Sequence, residues 1–181
     1  MLSITIPPKS EYWDPVKEEF IDDGGATLQL EHSLDSLSKW ESKWHKPFLY
    51  TNEKTDEEVL DYIRCMTITP DVDPEVYDRL SASNIREIED YIANPMTATS
   101  INEDKNGKKN REIVTAEVVY YWMIALNIPI ECQYWHFNRL ITLITVCSIK
   151  STPQKKRSKR DILSKQAALN AARRKQFNTK G

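Results

Sequence analysis

Cys132 and His136 stand four residues apart with Glu131 beside them. On a helix that spacing turns two side chains to one face, where they could share a metal ion. Two ligands leave a tetrahedral site half built, and His32 and His45 are far off in sequence. The pair is therefore read as packing within a core helix, and no metal ligand is assigned. Nucleophilic catalysis would call for Ser or Cys near a His held by a carboxylate, and neither a GxSxG elbow nor a family-type cysteine signature occurs. Glycine stands only at positions 24, 25, 107 and 181. Neither GxGxxG nor GxxxxGK[ST] can be written with these, so no phosphate-cradling loop is expected. These residues point to a protein that is not an enzyme and carries no cofactor.

Two other groups of residues suit binding better than catalysis. Trp40, Glu41, Trp44, His45, Pro47 and Phe48 place two of the five tryptophans on one short segment. Such a cluster is either core packing or an aromatic patch that anchors a partner. The second group is the C-terminal tail. Residues 150–181 carry 11 basic side chains against Asp161 alone, a balance of +10, whereas residues 1–149 carry 14 basic and 26 acidic ones, a balance of −12. The overall net charge of −2 hides this opposition. The tail could be a solvated face, an anchor for a partner or a phosphate contact; with Phe177 its only aromatic residue it offers no base-stacking platform, which disfavours nucleic acid.

The elements that position these groups follow from periodicity. Leu2, Ile4 and Ile6 alternate with period two, and residues 26–31 alternate again after Asp23-Gly24-Gly25, which predicts a small hairpin or two-stranded piece. Ser33 then caps a helix whose Leu34, Leu37, Trp40 and Trp44 fall at helical spacing, ending before Pro47. Thr55 with Glu58 makes a capping box for a helix over 56–66. Asp73-Pro74 starts a single turn or short helix, and Ser83 opens another over 84–93. Asn106-Gly107, flanked by 97–101 and 111–114, predicts a β-hairpin. Thr115 caps a helix over 116–126, and a second helix is expected over 131–149 after Ile128-Pro129. Both are apolar around much of their circumference, so this pair is expected at the centre of the core, against the helices that begin at Ser33 and Asp56.

Beyond Ser151 a polar linker leads to residues 161–177, rich in helix formers but with few and small apolar positions. Alone such a helix is marginal, so it is read as an arm that orders against something. Three cysteines, Cys65, Cys132 and Cys147, suit neither a disulfide framework nor a CxxC site and are read as reduced thiols in apolar surroundings. No run of about 18 apolar residues spans a membrane, and MLSITIPPKSEYWD lacks the features of a secretory signal, so a cytoplasmic location is expected. The fold class is α+β, predominantly helical, with small β-hairpins beside a helical bundle. Residues 1–149 form a compact acidic domain and 150–181 a basic linker with a helical tail.

With these segments laid out, LSKWESKWHKPFL at 37–49 resembles the SKWESKW-KPFL signature of tail assembly chaperones of tailed bacteriophages. EEVLDYIRCM at 57–66, PMTAT at 95–99, NREIVTAEVVYYWMIAL at 110–126, ECQYWHFNR at 131–139 and the ending at 168–181 extend the resemblance from about residue 27 to the end. It implies a non-catalytic protein of the host cytoplasm that binds the tape measure protein and keeps it soluble while the tail tube assembles around it. Tail tube proteins or further copies of the chain are additional candidate partners. The side chains expected to touch a partner are Trp40, Trp44 and Phe48, together with Arg160, Arg173, Arg174 and Lys175 of the arm. A structural virion protein of the tail or neck would share this fold and lack of catalysis, and only then would the chain remain in the virion. A nucleic-acid-binding protein acting through the basic tail is the other alternative.

Overall fold

The computed structural model describes residues 1–8, 11–22, 25–51, 53–101, 113–151 and 159–177. Contacts divide the chain into Met1–Ile149 and Lys150–Gly181. The fold is α+β and predominantly helical.

In the first unit, β1 (Leu2–Ile6) is followed by β2 (Glu11–Asp14), β3 (Glu19–Asp22) and β4 (Ala26–Leu30). The pair β1–β4 is antiparallel, with Leu2 opposite Leu30, Ile4 opposite Leu28 and Ile6 opposite Ala26. Alternation puts Ile4, Ile6, Leu28 and Leu30 on the core face, where all are fully buried. Both outer edges of this sheet are occupied. Beyond β4, Gln29 O accepts from Ile68 N and Gln29 N donates to Thr69 Oγ1, each at 2.8 Å; beyond β1, Asn84 Nδ2 donates to Thr5 O at 3.3 Å. These contacts cover part of each edge and so hinder the addition of another strand there. At the start of β4 a Cβ on Gly25 would lie 2.8 Å from the Ile6 carbonyl oxygen, so the hairpin closes only because that side chain is absent. Between these strands β2 and β3 form a second hairpin, not anticipated from sequence, whose turn is held by Asp14 Oδ1 accepting from Val16 N and Lys17 N.

Next come α1 (Leu34–Trp44), α2 (Asp56–Met66), a 3-10 helix over Pro74–Arg79 and α3 (Ala82–Ala93). Thr55 and Glu58 form the expected capping box of α2, Ser33 caps α1, and Asp73 with Pro74 opens the 3-10 helix. The cap of α3 is Ser81 rather than Ser83. Ser81 Oγ accepts from Asn84 N and Asn84 Oδ1 accepts from Ser81 N, a reciprocal box one half-turn earlier than the hydrophobic stripe suggests. Asn138 Nδ2 then closes the far end of α3 by donating to Ile92 O and Asn94 O, each at 2.9 Å.

Residues 97–101 form no strand, and the Asn106-Gly107 turn lies outside the described residues. Instead, side chains close local turns: Asn94 Oδ1 accepts from Met96 N and Thr97 Oγ1 from Thr99 N. Helix α4 (Ala116–Ala125) agrees with the reading from sequence, but the long helix over 131–149 does not. It is a 3-10 helix over Ile130–Tyr134 and then α5 (Phe137–Ser151). Between them His136 forms a β-bridge with Ser33, and Phe137 N donates to His32 O at 2.7 Å. An extended residue at this point serves the β4–α1 junction, which a continuous helix would have left unpaired.

The centre of the core is also displaced from the predicted one. Leu34, Leu37 and Trp40 of α1 are almost wholly enclosed together with the β1–β4 face, and α1 packs on α2, α4 and the 3-10 helix over Ile130–Tyr134. Helix α4 buries only Ala116, Val119 and Met123, and α5 fully buries only Phe137, Leu140 and Ile144. An all-round apolar helix does not announce which face is inward, and α1, with one clean apolar face, took the centre.

In the second unit α6 (Lys159–Phe177) is a single helix. Its described side chains are exposed, including Leu163, Leu169 and Phe177, and Arg174 and Lys175 lie in its last turn, where the helix dipole favours cations. Among the described residues no helix is long and apolar enough to cross a membrane.

Candidate functional site

Thirteen consecutive residues, 118–130, separate Glu117 from Glu131 without a charge, and ten more, 140–149, separate Arg139 from Lys150. In α4 the inward stripe of Ala116, Val119 and Met123 uses one side of the helix. The opposite side presents Tyr121, 67% exposed, and Ile124, 73% exposed, with Ala125 beside them. Between α4 and α5 runs an open groove of about 380 Å³ lined by Trp122, Ala125, Leu126, Ile144, Thr145 and Ile149. The 3-10 helix after α4 adds exposed Ile130 and Tyr134, and the adjoining Trp135 carries the Arg139 guanidinium 4.2 Å above its ring. Tyr121, Ile124 and the groove form an uncharged patch of aromatic and branched residues, bordered by exposed Glu117, Glu131 and Arg139, that an apolar partner segment can cover.

Hydrogen bonds tie this face to the elements around it. The first amide of α4, Ala116 N, donates to Glu41 Oε2 at 2.7 Å, and the other carboxylate oxygen of Glu41 accepts from Phe48 N at 2.8 Å. The carboxylate thus ties α1, the loop after it and the positive end of α4 together. Farther along, Tyr120 Oη donates to Gln133 Oε1 at 2.8 Å and fixes α4 to the 3-10 helix.

The aromatic cluster that suggested a partner surface from sequence is largely interior. Trp40 is completely buried and its Nε1 donates to Glu58 O at 2.9 Å, so its ring is unavailable to a partner. Trp44 stacks on it at 6.2 Å and Phe48 meets it edge-on at 5.1 Å; both are half-buried, and Trp44 Nε1 donates to Asp61 Oδ2. Lys54 covers the outside, its ammonium 4.2 Å from the Phe48 ring and bonded to the Phe48 and Thr51 carbonyls. That burial lowers the pKa of Lys54 despite the nearby Glu58. The three aromatics are therefore brought together as a capped stack. Arg173, Arg174 and Lys175 stand exposed near the end of α6, while the side chain of Arg160 lies outside the described residues. The residues missed from sequence are Tyr121 and Ile124 of the exposed α4 face; their signal was the uncharged run itself, longer than one buried stripe needs.

Cys132 and His136 do not share a helical face. Cys132 is in the 3-10 helix, whereas His136 lies beyond it and its Nε2 bonds to Tyr91 O at 3.0 Å. Among the described residues no group of three His, Cys, Asp or Glu side chains is placed to hold a metal. A cleft of about 400 Å³ is lined by Glu31, Ser33, Asp35, Lys39, Cys65 and Tyr134, among others. Its charges are already paired: Asp35 with Lys39 at 2.7 Å, and Glu31 with the amino terminus at 2.9 Å and with the Tyr91 hydroxyl at 2.6 Å. Burial first, and then the Asp61 carboxylate, push the Cys65 thiol up to about 11, so it is held as the protonated form and not as a thiolate nucleophile at neutral pH.

No protein-family model matches the chain, and neither a curated protein nor a solved structure matches it significantly.

Proposed function

We propose that the chain is a non-catalytic phage tail assembly chaperone that binds the tape measure protein and keeps it soluble while the tail tube forms. The resemblance at residues 37–49 names the class. The observation that carries the reading is the exposed apolar patch of Tyr121 and Ile124 on α4 with the adjoining uncharged α4–α5 groove. A chaperone of this kind must cover apolar segments of an unfinished partner and later release them. A shallow groove with branched and aromatic rims, set in a body of net charge −12, does the covering and keeps the complex in solution through its charge. The exposed basic helix α6 supplies a second, electrostatic contact.

Co-expression with the tape measure protein encoded nearby, followed by pull-down and a solubility assay, tests this. The expected result is a soluble complex and no chain in finished particles by mass spectrometry. No binding, together with stoichiometric presence in particles, replaces the reading with a structural role in the tail or neck. Retention on nucleic acid that falls steeply with salt and is lost with residues 150–181 replaces it with the nucleic-acid reading.

A further inference from the structure

Four parts of the body meet at two buried imidazoles. His32, at the β4–α1 junction, is 3% exposed, and His136, just before α5, is 4% exposed. Their rings meet edge-on at 5.2 Å. His32 Nδ1 is 2.5 Å from the Tyr62 hydroxyl of α2, and its ring also meets Phe137 edge-on at 5.6 Å. His136 Nε2 is 3.0 Å from the carbonyl of Tyr91 in α3, and a carbonyl only accepts, so Nε2 carries the proton. In the neutral ring Nδ1 is then a bare lone pair, and among the described residues this buried atom has no hydrogen-bond partner. Protonation would place an N–H there with no acceptor, and a charge beside a second imidazole.

We propose that His32 and His136 form a proton-sensitive lock, which when neutral holds the start of α5 against the β4–α1 junction, α2 and α3, and when protonated opens that seam. The groups facing the pair decide how readily it charges. Glu31, just after β4, favours the charged form of His136, and the amino group of Met1, just before β1, opposes it. The Glu31 carboxylate is already engaged by that amino group and by the Tyr91 hydroxyl, which donates to it. From α1 and α2, Ser36 and Tyr62 are uncharged, and the Glu41 carboxylate is occupied by two backbone amides. Burial, reinforced by the neighbouring His136, drives His32 down to about 3, and burial also lowers His136. The closed state therefore excludes protons that an opened seam takes up. Each imidazole charged on opening favours the open form about tenfold for every pH unit below the ordinary histidine value near 6.5.

Hydrogen exchange of the intact chain at pH 7 and pH 5, corrected for intrinsic rates, tests the lock. The expected result is at least about a tenfold loss of protection at the amides of Phe137 and Leu140, which bond to the His32 and His136 carbonyls, with the interior of β1–β4 exchanging more slowly than these at both pH values. In the double variant H32N/H136Q the neutral amides can still hydrogen-bond to the Tyr62 hydroxyl and donate to the Tyr91 carbonyl, and the loss should vanish. Equal protection of the wild-type chain at both pH values, or the same loss in the folded variant, overturns the proposal. Should the variant not fold, imidazole NMR of the wild-type chain decides, with free histidine as the reference. Protonation of His32 and His136 only together with loss of protection supports the lock; their titration near the ordinary histidine value with protection intact overturns it.

Discussion

Glu41 and Ala116 are 75 residues apart, and the carboxylate of the first accepts the opening amide of the helix that begins at the second. Thr115, the cap expected from sequence, makes no side-chain capping bond. A carboxylate from another helix has taken over, meeting the positive end of the α4 dipole as well as an orphan N–H. Glu41→Ala is expected to cost about 2–4 kcal/mol, because two amides lose a charged acceptor. Thr115→Ala should cost under about 0.5 kcal/mol. Urea denaturation of both variants measures the difference.

Stability and binding should separate between two aromatic positions. Trp40→Ala opens a cavity at the centre of the core and frees the Glu58 carbonyl, so a loss of about 3–5 kcal/mol is expected. Tyr121→Lys with Ile124→Glu changes only exposed α4 positions and should leave stability within about 0.5 kcal/mol. The same double variant should lose the tape measure protein in pull-down. Thermal melts beside the pull-down read both effects.

Acid should weaken the body in two stages. His32 and His136 are held below their ordinary value when folded, so their contribution is full above about pH 6.5 and falls as pH drops beneath it. Glu58 has its pKa lowered, first by the Lys46 ammonium at 2.5 Å and then by the Thr55 amide, against the opposing effect of burial. Its contribution is present above the ordinary carboxylate value and is lost as pH falls through the depressed one. Melting temperature against pH should therefore decline from near 6.5 and decline again in the carboxylate range. Lys46→Met should diminish the second stage and spare the first.

The arm offers a test that leaves the body alone. Reversing charge at Arg173, Arg174 and Lys175 to Glu removes cations from the end of α6 and should lower its helicity, each dipole contact being worth about 0.3–1 kcal/mol. Partner retention should then lose most of its dependence on salt concentration. Circular dichroism and pull-down from 50 to about 500 mM salt, bracketing Debye lengths of roughly 14 to 4 Å, follow the two effects.

Much of the architecture was already present in local residue chemistry. Alternation of Ile4 and Ile6 with Leu28 and Leu30 determined the sheet, and the Thr55–Glu58 box and Ser33 determined where two helices begin, because each of these depends only on neighbours along the chain. Charge segregation marked the arm in the same way. The choice of interior face in α4, the break before Phe137, the enclosure of Trp40 and the replacement of Thr115 by Glu41 were decided in three dimensions. An all-round apolar helix buries whichever side its neighbours cover, and a polar backbone group is satisfied by the nearest acceptor in space, whatever its distance in sequence.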